Sequence, residues 1–365
     1  MRILIAHPDF NDPGGVSNFF AILDEKFTSR PAHFVIGKRI AEKTFFESLS
    51  RLIRDYIQFV KLLKKENYEL VHINPSLNFK GLTRDGVFIF LAKFFKCKVL
   101  VFFHGWEKDF EKRLNGIRYR FVLRAYKKVD AFVVLSSESK KILRQWGFAQ
   151  PIYVETTAVD EGMLKGLDIL QIIEKRINAD KHRVLFLARI IKEKGIYETI
   201  DAFRILKRKY LPCELLIAGD GIDLENAKDY VQQYDISNVI FTGYVTAETK
   251  TKAFLNSSVY CFPTYEEGMP ISMLEAMAFG LPVVTRAVGG VTDFFEDGQH
   301  GFITKSMDPA VFADYIERLF LDKELYERIS MHNYYYARER FLASKVAMNL
   351  EKIYRDVLED KNIAN

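Results

Sequence analysis

Cysteine is scarce in this chain, with 3 in 365 residues. Cys97, Cys213 and Cys261 stand far apart, two of them in apolar strand-like runs. They suggest neither a disulfide framework nor a zinc site, and buried reduced thiols are expected. Long apolar runs are also missing: the stretch 87–95 is broken by Lys93, and 99–103 is short, so neither has the length of a transmembrane helix. Residues 1–6 run straight into His7, Pro8 and Asp9 without the apolar region and small-residue cleavage site of a secretory signal, so a cytoplasmic location is expected. No low-complexity tract or internal repeat appears. Four motifs are absent: the phosphate loop G-x-x-x-x-G-K-[ST], the nucleophile elbow G-x-S-x-G, the zinc helix H-E-x-x-H and a metal-holding Asp-x-Asp. The last absence points to chemistry without a metal.

What is present reads as an ordinary globular chain, 48% hydrophobic and 28% charged, too long for one core and suited to two domains of similar size. The net charge of +5 is uneven. Residues 1–165 carry 28 basic and 18 acidic groups, the remainder 25 and 30. Short β-branched or aromatic runs alternate with amphipathic stretches, the rhythm of βαβ units in a parallel sheet. Strands are expected at 2–6, 32–36, 70–73, 99–103, 131–135 and 152–155. A second series follows at 183–188, 214–218, 239–242, 259–262 and 283–285. The stretch 158–179 reads as the connection, and after Gly301 the pattern reads as wholly helical. The fold class is therefore α/β, two Rossmann-like domains facing a central cleft. The domains are expected at 1–165 and 166–340, followed by a C-terminal helix, 341–365. Ligands of such sheets sit beyond the carboxyl ends of the strands, so chemistry is sought in those loops.

The stretch 264–280 reads Thr-Tyr-Glu-Glu-Gly-Met-Pro-Ile-Ser-Met-Leu-Glu-Ala-Met-Ala-Phe-Gly. Pro270 fits the first turn of a helix and Gly268 permits unusual dihedrals, which puts Glu267 on the loop before that helix and Glu275 inside it. A helix start offers backbone N–H groups and a positive dipole end to an anionic or hydroxyl-rich ligand. Taken alone, such glutamates are as well explained as a first-turn acid and a solvated helix residue. The stretch 183–195 places Arg189 and Lys194 on a loop after an apolar strand, as two cations for a diphosphate or simply as a basic turn. Gly14 and Gly15, beside Pro13, follow the first strand and suit a close phosphate approach or an ordinary turn. His104 ends another apolar strand, before Gly105 and Trp106, as a ligand contact or a satisfied structural residue. The run Ala218, Gly219, Asp220, Gly221 lacks the third glycine of a dinucleotide fingerprint and reads as a strand-to-helix turn.

The string from Glu267 to Glu275 resembles the E-x7-E signature of family-four retaining glycosyltransferases, the group 1 glycosyltransferases of GT-B fold. The segment at Arg189 and Lys194 is similar to the family's G-R-L-x-x-x-K-G element, with Ala188 and Ile190 replacing the usual Gly and Leu. The resemblance implies an N-terminal domain for the acceptor, a C-terminal domain for a nucleoside-diphosphate sugar, and a final helix, 341–365, that crosses back to the N-terminal domain. It implies that Glu275 binds the ribose, that Arg189 and Lys194 neutralise the diphosphate, and that Glu267 holds the donor sugar with Gly268 and Met269. Pro270 and Ile271 continue this donor-binding stretch. It further implies a phosphate role for Gly14 and Gly15, a sugar contact for His104, and a place beside the base for Tyr244 and Val245.

The catalytic group so implied is Glu267, His104, Arg189 and Lys194. The donor would be a UDP-sugar of hexose type and the acceptor a glycan or lipid-linked molecule in cell-surface polysaccharide synthesis, with no metal, cofactor or nucleic acid. A GT-B epimerase or phosphorylase, and a non-catalytic nucleotide-sugar-binding partner, stay open beside it. The basic N-terminal half adds the expectation of a peripheral contact with an anionic membrane, through Arg51, Arg54, Lys61, Lys64 and Lys65 and through a cluster from Arg118 and Arg120 to Arg124, Lys127 and Lys128.

Overall fold

The computed structural model describes residues 1–11, 14–37, 44–105, 123–209 and 212–360. Pro13, Trp106, Arg118 and Arg120 lie outside the described residues. Two compact units are present, Met1–Ala158 with Ala343–Asn365, and Val159–Leu342.

In the first unit β1 (Ile3–His7), β2 (Ala32–Val35), β3 (Leu70–Ile73), β4 (Lys98–Phe103), β5 (Ala131–Val134) and β6 (Ile152–Val154) form a parallel sheet in the order β2-β1-β3-β4-β5-β6. β1, β3 and β5 are buried along their whole length, which is why they read as unbroken apolar runs instead of alternating ones. Helices α1 (Gly15–Leu23), α2 (Phe45–Lys65), α3 (Phe79–Phe94) and α4 (Ser137–Gln145) fill the crossovers. The starts of α2, α3 and α4 are fixed by side chains that satisfy orphan N–H groups. Thr44 and Glu47 form a capping box on α2, the Asn78 carbonyl oxygen accepts from Gly81 N at 2.8 Å on α3, and the Ser136 hydroxyl accepts from Ser139 N at 3.0 Å on α4.

The second unit repeats the scheme with β7 (His182–Leu187), β8 (Cys213–Ala218), β9 (Val239–Gly243), β10 (Val259–Phe262), β11 (Val283–Arg286) and β12 (Gly301–Thr304), ordered β12-β11-β10-β7-β8-β9 and parallel throughout. Its helices are α5 (Ile169–Ile177), α6 (Ile196–Arg208), α7 (Leu224–Gln233), α8 (Ala247–Leu255), α9 (Ile271–Ala278), α10 (Pro309–Leu321) and α11 (Lys323–Arg340). The final helix, α12 (Ala343–Leu358), packs in the first unit. There Tyr354 donates its hydroxyl to, or accepts from, His72 Nδ1 at 2.7 Å, and Glu351 accepts from Thr28 Oγ1 at 2.5 Å and from Ser29 N at 2.6 Å.

Strand order reverses between β1 and β3 in one sheet and between β7 and β10 in the other. At such a reversal neighbouring loops diverge and leave a crevice at the carboxyl ends of the strands. In the second unit the two loops concerned are those that carry Arg189 with Lys194, and Glu267.

Each strand expected from the sequence is present with its ends within one residue. The expectation of a wholly helical chain after Gly301 is wrong. β12 pairs with β11 there, a four-residue edge strand that starts at Gly301 with φ +128. Its leading glycine and its having only two apolar residues, Phe302 and Ile303, hide it from a pattern reading. The division falls at Ala158 and Leu342, seven residues before the expected Lys165 and two after the expected residue 340. α5 belongs to the second unit because the buried Arg176 guanidinium donates to Phe279 O at 2.7 Å and Phe254 O at 2.8 Å. Cys97, Cys213 and Cys261 are buried free thiols.

Candidate functional site

The loop after β7 is shaped by a glycine at its end. A short turn, Lys192–Lys194, closes on Gly195, whose φ of +78 suits glycine and which starts α6. A Cβ there would stand 2.3 Å from the Pro263 carbonyl oxygen, so only glycine lets the β7 loop lie directly against the end of β10. The contact is sealed by Tyr265 N donating to Glu193 O at 2.9 Å. Beneath the loop, Ile190 N donates to Asp220 O at 2.9 Å and Asp223 N donates to Ile190 O at 3.1 Å. The turn at 218–221 is thus the floor of the Arg189 loop. Arg189 itself is exposed and makes no ion pair among the described residues.

Glu267 stands on the loop after β10, just before α9, and its carboxylate pairs with the Lys194 ammonium. Burial raises the Glu267 pKa, while Lys194 and a Thr264 hydrogen bond pull it down. The backbone at this point is gripped from the next strand's loop. Gly290 N donates to Gly268 O at 2.8 Å, and at Gly289, φ +48, an added Cβ would fall 1.6 Å from the Glu267 carbonyl oxygen. Met269 is buried. Pro270 caps α9 from outside, with φ −75 and ψ 110, and Ile271 is the first helical residue, so the expected place of Pro270 in the first turn is corrected by one position. Extended ψ at Pro270 is what turns the chain from the loop into the helix.

Glu275 is not a solvated helix residue: it is 3% exposed. One oxygen pairs with Lys250 Nζ of α8 at 2.5 Å, and the other, Oε2, is buried without a hydrogen-bond partner. Burial raises its pKa, Lys250 opposes the rise and Asp160 adds to it. Tyr244, 79% exposed, and Val245 lead from β9 into the same helix that supplies Lys250. The structure therefore brings Arg189, Lys194, Gly268, Met269, Ile271, Glu267 and Glu275 onto two adjoining loops and one helix, with Tyr244 and Val245 joined to them through Lys250.

Gly14, Gly15 and His104 lie in the first unit. Gly14 is extended, φ −175, and Gly15 opens α1; an added Cβ meets nothing within 4 Å at Gly15 and only Ser17 Oγ, at 3.7 Å, at Gly14. Neither the dihedrals nor the packing of the described residues demands these glycines. His104 ends the strand as expected. Its Nε2 meets Asn74 Oδ1 at 2.9 Å, and the Asn74 amide is oriented by donating to Ala6 O at 3.0 Å, so Nε2 carries the proton. Burial lowers its pKa to about 3, which keeps the ring neutral with Nδ1 as an acceptor.

This geometry, a basic loop and an acidic loop meeting at the reversal of a parallel sheet with the shielded Glu267 and Glu275, is accompanied by matches along most of the chain. A family model described as Glycosyl transferases group 1 matches residues 170–335, and one described as Glycosyltransferase Family 4 matches residues 22–162. The chain belongs to the family-four, group 1 glycosyltransferases. Among relatives, the capsular polysaccharide biosynthesis glycosyltransferase CapM of Staphylococcus aureus is 29% identical over 229 residues, covering 62% of this chain and 58% of that protein. The alpha-D-kanosaminyltransferase of Streptomyces kanamyceticus is 29% identical over 179 residues, covering 49% and 46%. The chain thus spans about half the length of the curated relatives it matches. The crystal structure of Anabaena Alr3699/HepE in complex with UDP superposes with a TM-score of 0.75 at 18% identity, covering 98% of this chain and 100% of that one, and the shared fold is GT-B.

Several residues of this site escape a reading of sequence. Lys250 looks like one more cation on a polar helix, yet it is the partner of Glu275. Arg286 lies 5.1 Å from the centroid of the Tyr265 ring, and Glu198 holds the Tyr265 hydroxyl. Gly289 and Gly290 are the one case with a signal, since adjacent glycines in the loop that follows a strand mark a close backbone approach.

Proposed function

We propose that this chain moves a hexose-type sugar from a nucleoside-diphosphate sugar to a glycan or lipid-linked acceptor, with retention at the anomeric carbon. The observation that carries the reading is Glu275, a buried carboxylate with one oxygen held by Lys250 and the other without a partner, eight residues along from the Lys194–Glu267 pair. A shielded acceptor oxygen without a donor is costly by itself and is matched by the hydroxyls of a ribose.

Arg189 and Lys194 are the groups for the diphosphate. Lys194 has three N–H donors, so its bond to Glu267 leaves donors for phosphate oxygens. Negative charge grows on those oxygens as the nucleoside diphosphate leaves, and fixed cations beside the start of α9 stabilise it, so the reading assigns this work to the chain and not to a metal. Glu267 faces the opposite change, positive character at the sugar carbon. It serves as an anion there, and attack on the face the leaving group departs from accounts for retention. His104, neutral and with Nδ1 as acceptor, would accept a hydrogen bond from a sugar hydroxyl without adding charge. UDP is the first donor base to try, since Alr3699/HepE is described with it. CapM, named for capsular polysaccharide, supports a surface glycan as acceptor.

The test is a melting-temperature series of the purified chain with UDP-, GDP-, ADP- and CMP-sugars, followed by product analysis with the one that binds. Binding at a hundredfold over Kd adds about 2.7 kcal/mol, so the matching base gives a clear rise and the others none. A flat response to every nucleotide would sink the reading, and binding without turnover in the presence of glycan acceptors would leave a nucleotide-sugar-binding partner in its place.

A further inference from the structure

We propose that the outer flank of α2 and α3 in the first unit is a docking surface for an anionic lipid bilayer. A helix that covers a parallel sheet normally spends its apolar residues on that sheet. α2 does this with Phe59 and Leu63, which are buried, yet its apolar arc continues past them. Leu49, Ile53 and Ile57 are 42%, 52% and 50% exposed and recur at four-residue steps, one face of a helix; Phe46, 79% exposed, extends the line by a turn. α3, its neighbour through Tyr56 and Phe59 against Phe88 at 4.8 and 4.9 Å, repeats the feature with Val87, Phe90 and Phe94, exposed by 37%, 54% and 72%.

The charge around these stripes selects the partner. Arg54, Lys61, Lys64 and Lys65 are exposed along α2. On the far side of α3, which touches Ala125 at Gly86, the exposed Arg124, Lys127 and Lys128 form a second border, and the Lys128 ammonium stands 5.2 Å from the Phe90 ring centroid. The acids of α2 are taken up locally: Asp55 is buried on Arg51 at 2.8 Å, and Glu47 closes the capping box. An apolar stripe with cations on both borders matches the boundary between acyl chains and anionic headgroups. A second copy of the chain would bring two basic borders together, which disfavours self-pairing. No helix among the described residues is long and apolar enough to cross a membrane, so the contact is with the surface alone.

The experiment is co-sedimentation of the full chain with vesicles of phosphatidylglycerol and phosphatidylcholine, and of phosphatidylcholine alone, at low and high salt. We expect binding to the anionic vesicles that weakens with salt. Lys61→Gln, Lys64→Gln and Lys65→Gln together should weaken it about a hundredfold at low salt, near fivefold for each cation. Leu49→Ser, Ile53→Ser and Ile57→Ser together should abolish the binding that survives high salt. Ile222→Ser, at an 87% exposed residue of the second unit, should change nothing. Circular dichroism confirms that each variant is folded. Equal sedimentation with both vesicle types, or stripe and lysine variants that bind like the parent, would overturn the proposal. So would a concentration-dependent dimer that the stripe substitutions dissolve while vesicle binding is absent. None of these readouts requires sugar transfer, so failure here is separate from failure of the proposed reaction.

Discussion

At the scale of single residues, Glu267 and Glu275 share a loop and its helix but face different partners, and they should fail differently. Glu275→Ala removes the orphan oxygen together with the partner of Lys250, so affinity for free nucleoside diphosphate should fall along with affinity for the whole donor. Glu267→Gln keeps shape and removes charge. Its loss should fall on turnover, on the order of a hundredfold, with nucleoside diphosphate affinity near that of the parent. Single-turnover transfer paired with calorimetry separates the two, and parental turnover in Glu267→Gln would reduce that residue to a helix-start acid. Lys194 adds a pH signature. Burial holds the Glu267 pKa above the ordinary carboxylate range and Lys194 opposes it. Activity that needs the anion is lost as pH falls through that raised value, and Lys194→Ala removes the opposition, so the acid limb of kcat/KM should move to higher pH. An unmoved limb would mean that another group titrates. Arg189 is exposed with no ion pair among the described residues, so Arg189→Ala should leave the melting temperature almost unchanged while weakening diphosphate binding by roughly 1.5 to 3 kcal/mol.

At the scale of elements, the site is a set of strand ends pulled together by glycines. Gly289 carries the sharpest prediction. An alanine Cβ there would overlap the Glu267 carbonyl oxygen in a backbone region that L residues rarely adopt, so the loop bearing Glu267 and Gly268 has to move. Gly289→Ala should therefore lose both donor affinity and turnover while the far-ultraviolet spectrum stays that of the parent. Gly298→Ala, with φ +77 but nothing within 4 Å, is the control and should cost about 1 kcal/mol of stability with activity kept. Parental activity in Gly289→Ala would show that the loop's position is not critical. The same elements show what a sequence discloses. The strands were legible because buried parallel strands are unbroken apolar runs, whereas Glu267, Arg189 and Lys194 were singled out by the resemblance of their strings to the family's motifs, since charge after an apolar run also has an ordinary reading as a solvated turn. β12 was not, because its four residues open on a glycine and hold only two apolar side chains, Phe302 and Ile303. Lys250 was not, because its role depends on a partner 25 positions away that no local pattern announces.

At the scale of the whole molecule, the first unit is closed by a helix that the chain supplies only after completing the second. Tyr354 is buried against His72, and Glu351 reaches residues more than three hundred positions earlier, taking the Thr28 hydroxyl and the Ser29 N–H. That the last helix belongs with the first sheet was expected from family resemblance, but nothing in its sequence marks Glu351 as the clasp. The carboxylate offers a direct test. Burial pushes its pKa up, but the hydrogen bonds from Thr28 and Ser29 outweigh burial and leave the folded value below the ordinary one. A depressed folded pKa means that the unfolded chain binds the proton more readily. The stabilisation is complete above the unfolded value, near 4.3 for a free glutamate, and is lost as pH falls through the folded one. Glu351→Gln keeps the size of the side chain and one acceptor but no charge, so it should lower the melting temperature at pH 7. As the pH is brought down through the folded value, the parent carboxylate takes up its proton and the two proteins should converge. The measurement is a series of paired melting curves from pH 7 downward through the titration of this carboxylate. A gap of equal size throughout the series would show that Glu351 contributes through shape alone and that its charge does not hold α12 to the first sheet.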